Sequence, residues 1–363
     1  MADTQGADTQ GAGTQGAGTQ GAGAQGVGGQ GVDLEKDRRR VGVGRRGRAE
    51  VAVIGAGVIG LSTALRLQRA GARVAVLTAV PPRLTTSAVA AAVWFPTQVE
   101  ASAEVAHWGA ETFTELDRQA ADGVPGVSMR PTRMMTHKQA PATPWWAGVF
   151  RDLRPLEPAE LAVGCVSGWA FTAPTVEMPL YLAWMLDRFQ RQGGRLLTGR
   201  LDALEQAGAV APVVVNASGL GARRLCGDDA LYPVRGQLVL VRNPGLRTSL
   251  RIQDDPAGYT YVHPRGQDVV LGGTFDEDSW DTAADPRTAR EILSRCTALV
   301  PELRGAEVTG HLVGLRPARR GGVRLERDDL TLPGVRLVHN YGHGGAGVTL
   351  SWGCADAATA LLG

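Results

Sequence analysis

Residues 51–60 read Val-Ala-Val-Ile-Gly-Ala-Gly-Val-Ile-Gly, and they constrain the fold more than any other stretch of the chain. A β-branched run enters Gly55, and an apolar-periodic helix leaves Gly60, carries Leu61, Ala64, Leu65 and Leu67, and ends near Gly71. In such a turn Gly55 permits the tight bend, Gly57 lets a pyrophosphate approach the backbone, and Gly60 lets helix and strand pack closely. Ala56, Val58 and Ile59 fill the places between them. A second strand, Arg73–Thr78, completes a βαβ unit that predicts a Rossmann-type domain holding a dinucleotide. An Asp or Glu is expected at the end of that strand to bind ribose hydroxyls. Residues 75–82 are instead Ala-Val-Leu-Thr-Ala-Val-Pro-Pro, leaving Thr78 as a weaker acceptor and the affinity for adenosine open.

The other end of the chain supplies a mate. Val335, Leu337 and Val338 lead into His339-Asn340-Tyr341-Gly342-His343-Gly344-Gly345-Ala346-Gly347-Val348-Thr349, and an Ala-rich helix follows to about Leu362. Glycines at this density let backbone N–H groups approach a ligand, and a helix start favours an electron-rich partner. Two glycine-rich helix starts so far apart suit a ligand as long as FAD.

Between them, Leu84-Thr85-Thr86-Ser87 and the small residues through Ala92 and Val93 suit a segment pressed against phosphates and a flat ring, with Trp94 closing one wall. A helix N-cap before an Ala run is the other reading of those hydroxyls. Residues 101–122 have the period of an amphipathic packing helix, and 128–174 read as short strands and loops. Thr175 to Arg191 reads as a helix, Arg195–Leu197 as a strand and Val213–Gly219 as a buried parallel strand entering a turn at Ser218. Val234–Val241 alternates as a long strand, and Tyr259–Pro264 with Val269–Phe275 reads as a hairpin. Tyr259 shares the face of Tyr261 by strand period. His311–Arg320 reads as a strand ending at Arg316-Pro317, which fixes a planar fork suited to a carboxylate. Arg319, Arg320 and Arg324 read as surface arginines.

Composition removes several classes of function. The 363 residues are 44% hydrophobic with net charge +2, so neither nucleic acid nor a membrane is expected as partner. Four scattered cysteines and six histidines without ligand spacing point to free thiols in a reducing compartment and to no metal. Residues 1–48 form a Gly/Gln/Ala/Thr tract followed by an arginine cluster, and are expected to be disordered because they hold little to bury. An export signal at Arg45-Arg46 is disfavoured by Glu50, and the chain ends Leu-Leu-Gly, so a cytoplasmic location is the expectation.

In order along residues 50–363, these motifs resemble the D-amino-acid oxidase family of flavoenzymes: the N-terminal fingerprint, Leu84–Ser87, Val234-Arg235-Gly236-Gln237, the Tyr261-x-x-Pro hairpin, Gly314-Leu315-Arg316-Pro317 and the C-terminal glycine cluster. The resemblance implies an α/β fold in which a discontinuous Rossmann-type FAD-binding domain (49–127, 175–230 and 325–363) interleaves with a mainly antiparallel β-sheet substrate-binding domain (128–174 and 231–324). It places FAD on Gly55, Ala56, Gly57, Val58, Ile59 and Gly60, on Thr78, Thr85, Thr86 and Ser87, and on Ala92, Val93 and Trp94. It adds Leu201, Ser218 and the run Gly344, Gly345, Ala346, Gly347, Val348 and Thr349. Tyr261, Phe275, Arg316 and Gly345 would bind substrate, with Tyr261, Arg316 and Gly345 as the catalytic set. The implied reaction is oxidative deamination of a D-amino acid by hydride transfer from Cα–H to flavin N5, with O2 as second substrate and a 2-oxo acid, ammonia and hydrogen peroxide as products. Neutral D-amino acids are favoured. The alternatives are an oxidase of acidic D-amino acids, needing a second cation from Arg133, Arg235 or Arg319, and a non-catalytic nucleotide-binding protein. A homodimer is the assembly considered.

Overall fold

The computed structural model describes residues 48–96, 99–139 and 144–363, all within one compact unit; the expected disorder of the N-terminal tract concerns residues that lie, up to 47, outside the described ones. The chain first forms β1 (Val51–Ile54), α1 (Val58–Arg69) and β2 (Val74–Thr78). It continues through α2 (Ala103–Ala121), β3 (Val127–Thr136), β4 (Arg154–Pro155), β5 (Ser167–Val176), α3 (Met178–Arg191), β6 (Arg195–Thr198), α4 (Glu205–Gly208), β7 (Val213–Asn216) and α5 (Gly221–Leu225). Then come β8 (Leu231–Arg242), β9 (Ser249–Ile252), β10 (Thr260–Pro264), β11 (Asp268–Gly272), β12 (Asp276–Glu277), α6 (Pro286–Leu299), β13 (Val308–Arg319), β14 (Arg324–Asp328), β15 (Arg336–Tyr341) and α7 (Gly347–Ala360).

Two sheets organise these elements. The six-stranded sheet has the order β14-β15-β7-β1-β2-β6. Strand β1 is buried along its length and pairs in parallel with β2 and β7, as a strand covered on both faces requires. Strand β15 returns from the end of the chain to lie parallel to β7. That pairing brings the C-terminal glycines to the same edge as Gly55. The nine-stranded sheet runs β12-β8-β11-β10-β9-β3-β5-β4, with β13 paired to β8. Its pairings are antiparallel except β3 with β9. The architecture is thus α/β, with a largely parallel nucleotide-type sheet and a mainly antiparallel one.

Helices α1 and α7 pack on the first sheet, and α2 crosses over α7. The crossing is tight because Gly353 of α7 abuts the Trp108 backbone, where a Cβ would overlap main-chain atoms. Beneath it, Tyr181 accepts a hydrogen bond from the Trp352 indole at 2.8 Å and donates to Gln119 at 2.7 Å. Buried polar groups are stable in such a core only when paired like this.

Several local expectations change. Helix α1 begins at Val58, with Gly57 as N-cap, so Gly60 lies inside its first turn. Thr175 and Val176 end β5 rather than open a helix, because Thr175 pairs with Ser128 and bridges to Val93. Helix α3 then starts at Met178, with Pro179 in its first turn, where a missing N–H costs nothing. The hydroxyl run 85–87 caps no Ala helix: Thr86–Val89 is a short 3-10 turn, and Ala90 is extended. Strand β13 does not end at Arg316-Pro317 but continues to Arg319, paired with Leu231. Arg319 and Arg324 are not surface arginines: each keeps 22% of its side chain exposed, and Arg319 pairs with Asp228 at 2.8 Å.

Candidate active site

A cavity of about 540 Å³ joins the two sheets. One end is walled by the carboxyl ends of the parallel strands (Ile54, Leu77, Ala217, Tyr341) and the other by the face of the antiparallel sheet. The carboxyl edge of an open parallel sheet is where such folds bind ligands.

The nucleotide end is built from backbone. Gly55 has φ +107°, and a Cβ there would overlap the Ala217 carbonyl oxygen, so no other residue fits this turn. Helix α1 starts without a side-chain cap, and Ser87, 29 residues on, places its Oγ 3.0 Å from Val58 N–H as acceptor. At the far end of the chain a 3-10 turn, Gly344–Ala346, runs into α7, again with no side-chain cap. Two helix starts, of 12 and 14 residues, therefore border one cavity. Apart from Val58 N–H, the N–H groups of these starts and their positive dipole ends suit phosphate and an electron-rich ring.

Most residues singled out from sequence lie on this cavity. Gly55, Ala56, Gly57, Val58 and Ile59 line it, as do Thr78, Thr85, Thr86 and Ser87. Ala92, Val93, Leu201 and Ser218 do so as well, and so do Gly344, Gly345, Gly347, Val348 and Thr349. Thr78 spends its hydroxyl on the Val80 carbonyl at 2.6 Å, and Ser218 donates to Asn216 Oδ1 at 2.6 Å. Thr86 donates to the Leu315 carbonyl at 3.1 Å, tying the hydroxyl segment to the strand that carries Arg316. Thr349 donates to the Phe95 carbonyl at 2.8 Å and fixes the start of α7 to the same segment.

Four of the residues do not line it: Gly60, Trp94, Phe275 and Ala346. Gly60 packs on the carbonyl of Gly55 behind the loop. Trp94 is 2% exposed; its indole donates to the Gly109 carbonyl at 3.1 Å and meets Phe113 and Phe150 edge-on. It is a core residue behind the segment rather than a wall of the cavity. Ala346 is buried with Val105, Leu350 and Cys354. Phe275 lies beneath the Arg316 guanidinium, 5.2 Å from ring centre to Cζ.

Tyr261 and Arg316 both line the other end. Strand period puts Tyr261 and His263 on one face of β10, Tyr259 immediately precedes the strand, and all three border the cavity. Val262 faces the opposite way, into a core with Ile292 and Cys296 of α6. Tyr261 lies over Gly272, its partner across β10–β11, where a Cβ would occupy the space of the phenol ring. Burial pushes the Tyr261 phenol up to about 12, so it stays a hydrogen-bond donor at neutral pH. Arg316 crosses from β13 over Gly236 of β8, its register neighbour being Val234, and donates from Nη1 to the Thr274 carbonyl at 3.2 Å.

Sequence reasoning missed Arg251, His263 and His343, which also line the cavity. Arg251 sits in the short strand β9, opposite Tyr261. Its guanidinium lies 4.3 Å from the Phe95 ring centre and 5.1 Å from that of Tyr259, whose hydroxyl accepts from Nη2 at 2.5 Å. The three arginines considered from sequence are engaged elsewhere: Arg133 with Glu160 at 3.2 Å, Arg235 with Asp276 at 3.1 Å, and Arg319 with Asp228. None of them lines the cavity. The period of β10 would have revealed His263; nothing in the irregular stretch around residue 251 marks Arg251.

Comparison with known proteins agrees with this fold. The family described as FAD dependent oxidoreductase matches residues 50–361. A D-amino-acid oxidase of Rubrobacter xylanophilus is 48% identical over 322 residues, covering 88% of this chain and 98% of that protein. A D-aspartate oxidase of Homo sapiens is 38% identical over 330 residues, covering 86% and 94%. Among solved structures, glycine oxidase from Geobacillus kaustophilus superposes with a TM-score of 0.75 at 21% identity, over 87% of this chain and 95% of that one.

Proposed function

This chain belongs to the FAD dependent oxidoreductase family, with the D-amino-acid oxidases, and on that premise we propose which of its residues oxidise a D-amino acid. The enzyme is an FAD-dependent oxidase of D-amino acids, and its small-molecule partners are the amino acid and O2. The cavity fits FAD: neither helix start that borders it is capped by the side chain of its own N-cap residue, only Val58 N–H being taken by Ser87, and the glycines that form them keep Cβ atoms out of the space. Gly55–Ile59 and the start of α1 would hold the pyrophosphate, and Gly344–Thr349 the isoalloxazine. Bound FAD supplies a hydride acceptor at N5 that O2 reoxidises with release of hydrogen peroxide, the imino acid hydrolysing to 2-oxo acid and ammonia.

The chain's own work is binding and orientation. Arg316 grips the α-carboxylate through two parallel N–H donors, and Tyr261 donates to the same group. The Gly345 carbonyl accepts from the α-amino group. With carboxylate and amine held, one enantiomer aims its Cα–H at the acceptor, and orientation of this kind is worth up to about 7–11 kcal/mol. No side-chain base is needed, since the amine has only to be neutral. Accordingly we assign 49–127, 175–230 and 325–363 to the FAD-binding domain and 128–174 and 231–324 to the substrate-binding one. A cytoplasmic site of action is in keeping with the described helices, none of which is long and apolar enough to cross a membrane.

The observation that carries this reading is that Arg316 shares one cavity with both glycine-rich helix starts. Steady-state kinetics on Arg316→Ala test it. KM for D-alanine should rise by orders of magnitude while the flavin spectrum stays intact; an unchanged KM removes Arg316 from the role.

Neutral D-amino acids remain our first choice of substrate, but Arg251 favours a second reading. A cation held between two aromatic rings at the substrate end suits the side-chain carboxylate of an acidic D-amino acid. The ratio of kcat/KM for D-aspartate to that for D-alanine decides between the two, and Arg251→Leu should lower it if acids are preferred.

A further inference from the structure

We propose that His263 is a specificity-determining residue of this cavity, hydrogen-bonding, beside Arg251, the distal polar group of the substrate's side chain. The proposal rests on the reading of the cavity as a D-amino-acid site and deepens it by naming what meets the side chain.

His263 follows Tyr261 by one strand repeat on the face of β10 that borders the cavity. Its ring is stacked on that of Tyr261, with centroids 4.7 Å apart and planes 14° from parallel. The imidazole is therefore fixed relative to the phenol that meets the substrate. Arg251 pairs with Tyr261 across β9–β10, which makes His263 its diagonal neighbour on the same face. Donors for a carboxylate or amide thus lie side by side, at one remove from the α-carboxylate grip.

The imidazole has little other employment. His263 is 5% exposed, and its buried Nδ1 has no hydrogen-bond partner among the described residues. An unpaired polar atom in a core costs free energy that a well-packed chain normally avoids. A neutral ring in this place, which burial and the Arg251 charge both enforce, donates from one nitrogen without adding a second positive charge. A carboxylate at position 263 would cancel the Arg251 charge, and a phenyl would leave a distal polar group of the substrate unmatched.

The test is steady-state kinetics of the FAD-loaded enzyme on D-alanine, D-asparagine and D-aspartate, with wild type, His263→Phe, His263→Gln and Arg251→Leu. His263→Phe should raise KM for D-asparagine and D-aspartate relative to that for D-alanine by about tenfold, the worth of one buried hydrogen bond. His263→Gln, which keeps a donor, should restore most of that ratio, whereas a residue needed only for packing would give no such rescue. Ratios unchanged in His263→Phe, or lost equally in His263→Gln, overturn the proposal. If Arg251→Leu leaves the D-aspartate ratio alone, the acidic-substrate reading fails by itself and D-asparagine still tests His263. A wild type that oxidises no D-amino acid ends both the underlying reading and this one.

Discussion

The guanidinium of Arg316 occupies the space that a Cβ on Gly236 would fill, so the side chain proposed to meet the substrate is shaped by an absent atom two strand residues from its own register partner, Val234. Gly236 stands in the motif Val234-Arg235-Gly236-Gln237, where both Arg235 and Gln237 are buried and bonded to one another at 3.1 Å. The strand β8 is thus held rigid on either side of the glycine.

Gly236→Ala should therefore displace Arg316 without unfolding the sheet. The loss of a charge-assisted contact is worth about 1.5–3 kcal/mol, or roughly 10–150-fold in KM for a D-amino acid. Bound FAD should be retained, because Gly236 belongs to neither glycine-rich helix start and the added Cβ meets the Arg316 guanidinium. Kinetics with D-alanine, and the flavin absorbance of the purified variant, check this; wild-type KM in the variant refutes it.

Gly353→Ala tests packing instead of the site. The added methyl group meets the Trp108 backbone, which cannot rotate away as a side chain would. Overpacking of this kind costs about 1–3 kcal/mol, and the midpoint of thermal unfolding should fall. A midpoint equal to wild type would show that α2 and α7 adjust freely.

Ala92 lines the cavity with φ +50°, and its carbonyl accepts from Val176 N–H at 2.8 Å. A left-handed conformation costs an L-residue roughly 1–2 kcal/mol. Ala92→Gly is expected to be neutral or to raise the melting temperature, and Ala92→Val to lower it, since β-branching makes the strain worse. Differential scanning of the two variants decides; a more stable valine variant would contradict the strain.

His263 and His343 are both held neutral, with values pushed down to about 3, chiefly by burial. Their folded values lie below the unfolded one near 6.5, so the unfolded chain binds more protons between the two. Stability from this source is complete above about pH 6.5 and is lost as pH falls towards 3. Urea unfolding at a series of pH values should show that slope, and His343→Gln should flatten it. A slope unaffected by the substitution would mean that other groups set the acid limit.

The parallel sheet and its ligand were legible because they rest on local rules. Gly55 must adopt a positive φ, Gly57 must start a helix, and the buried β-branched run must lie between neighbours; each is a property of a few consecutive residues. The same holds for the hairpin that presents Tyr261, whose period and turn are both local. Trp94 was misjudged because sequence cannot say which way a side chain leaves an irregular segment, and here the Gly109 carbonyl and two phenyl rings draw it into the core.

Sequence by itself pointed to the proposed coenzyme cradle and to the arginine proposed to meet the carboxylate, since backbone conformation and the Arg316-Pro317 motif are written in adjacent residues. Tertiary structure alone decided which further cation, besides Arg316, lines that end of the cavity. Arg133, Arg235 and Arg319 were equal candidates until each was found paired with a carboxylate distant in sequence, while Arg251, in an unmarked four-residue strand, was carried to the cavity by its pairing with Tyr261. Pairings between strands depend on the whole sheet, and a long flexible side chain takes its partner from whatever that sheet brings near.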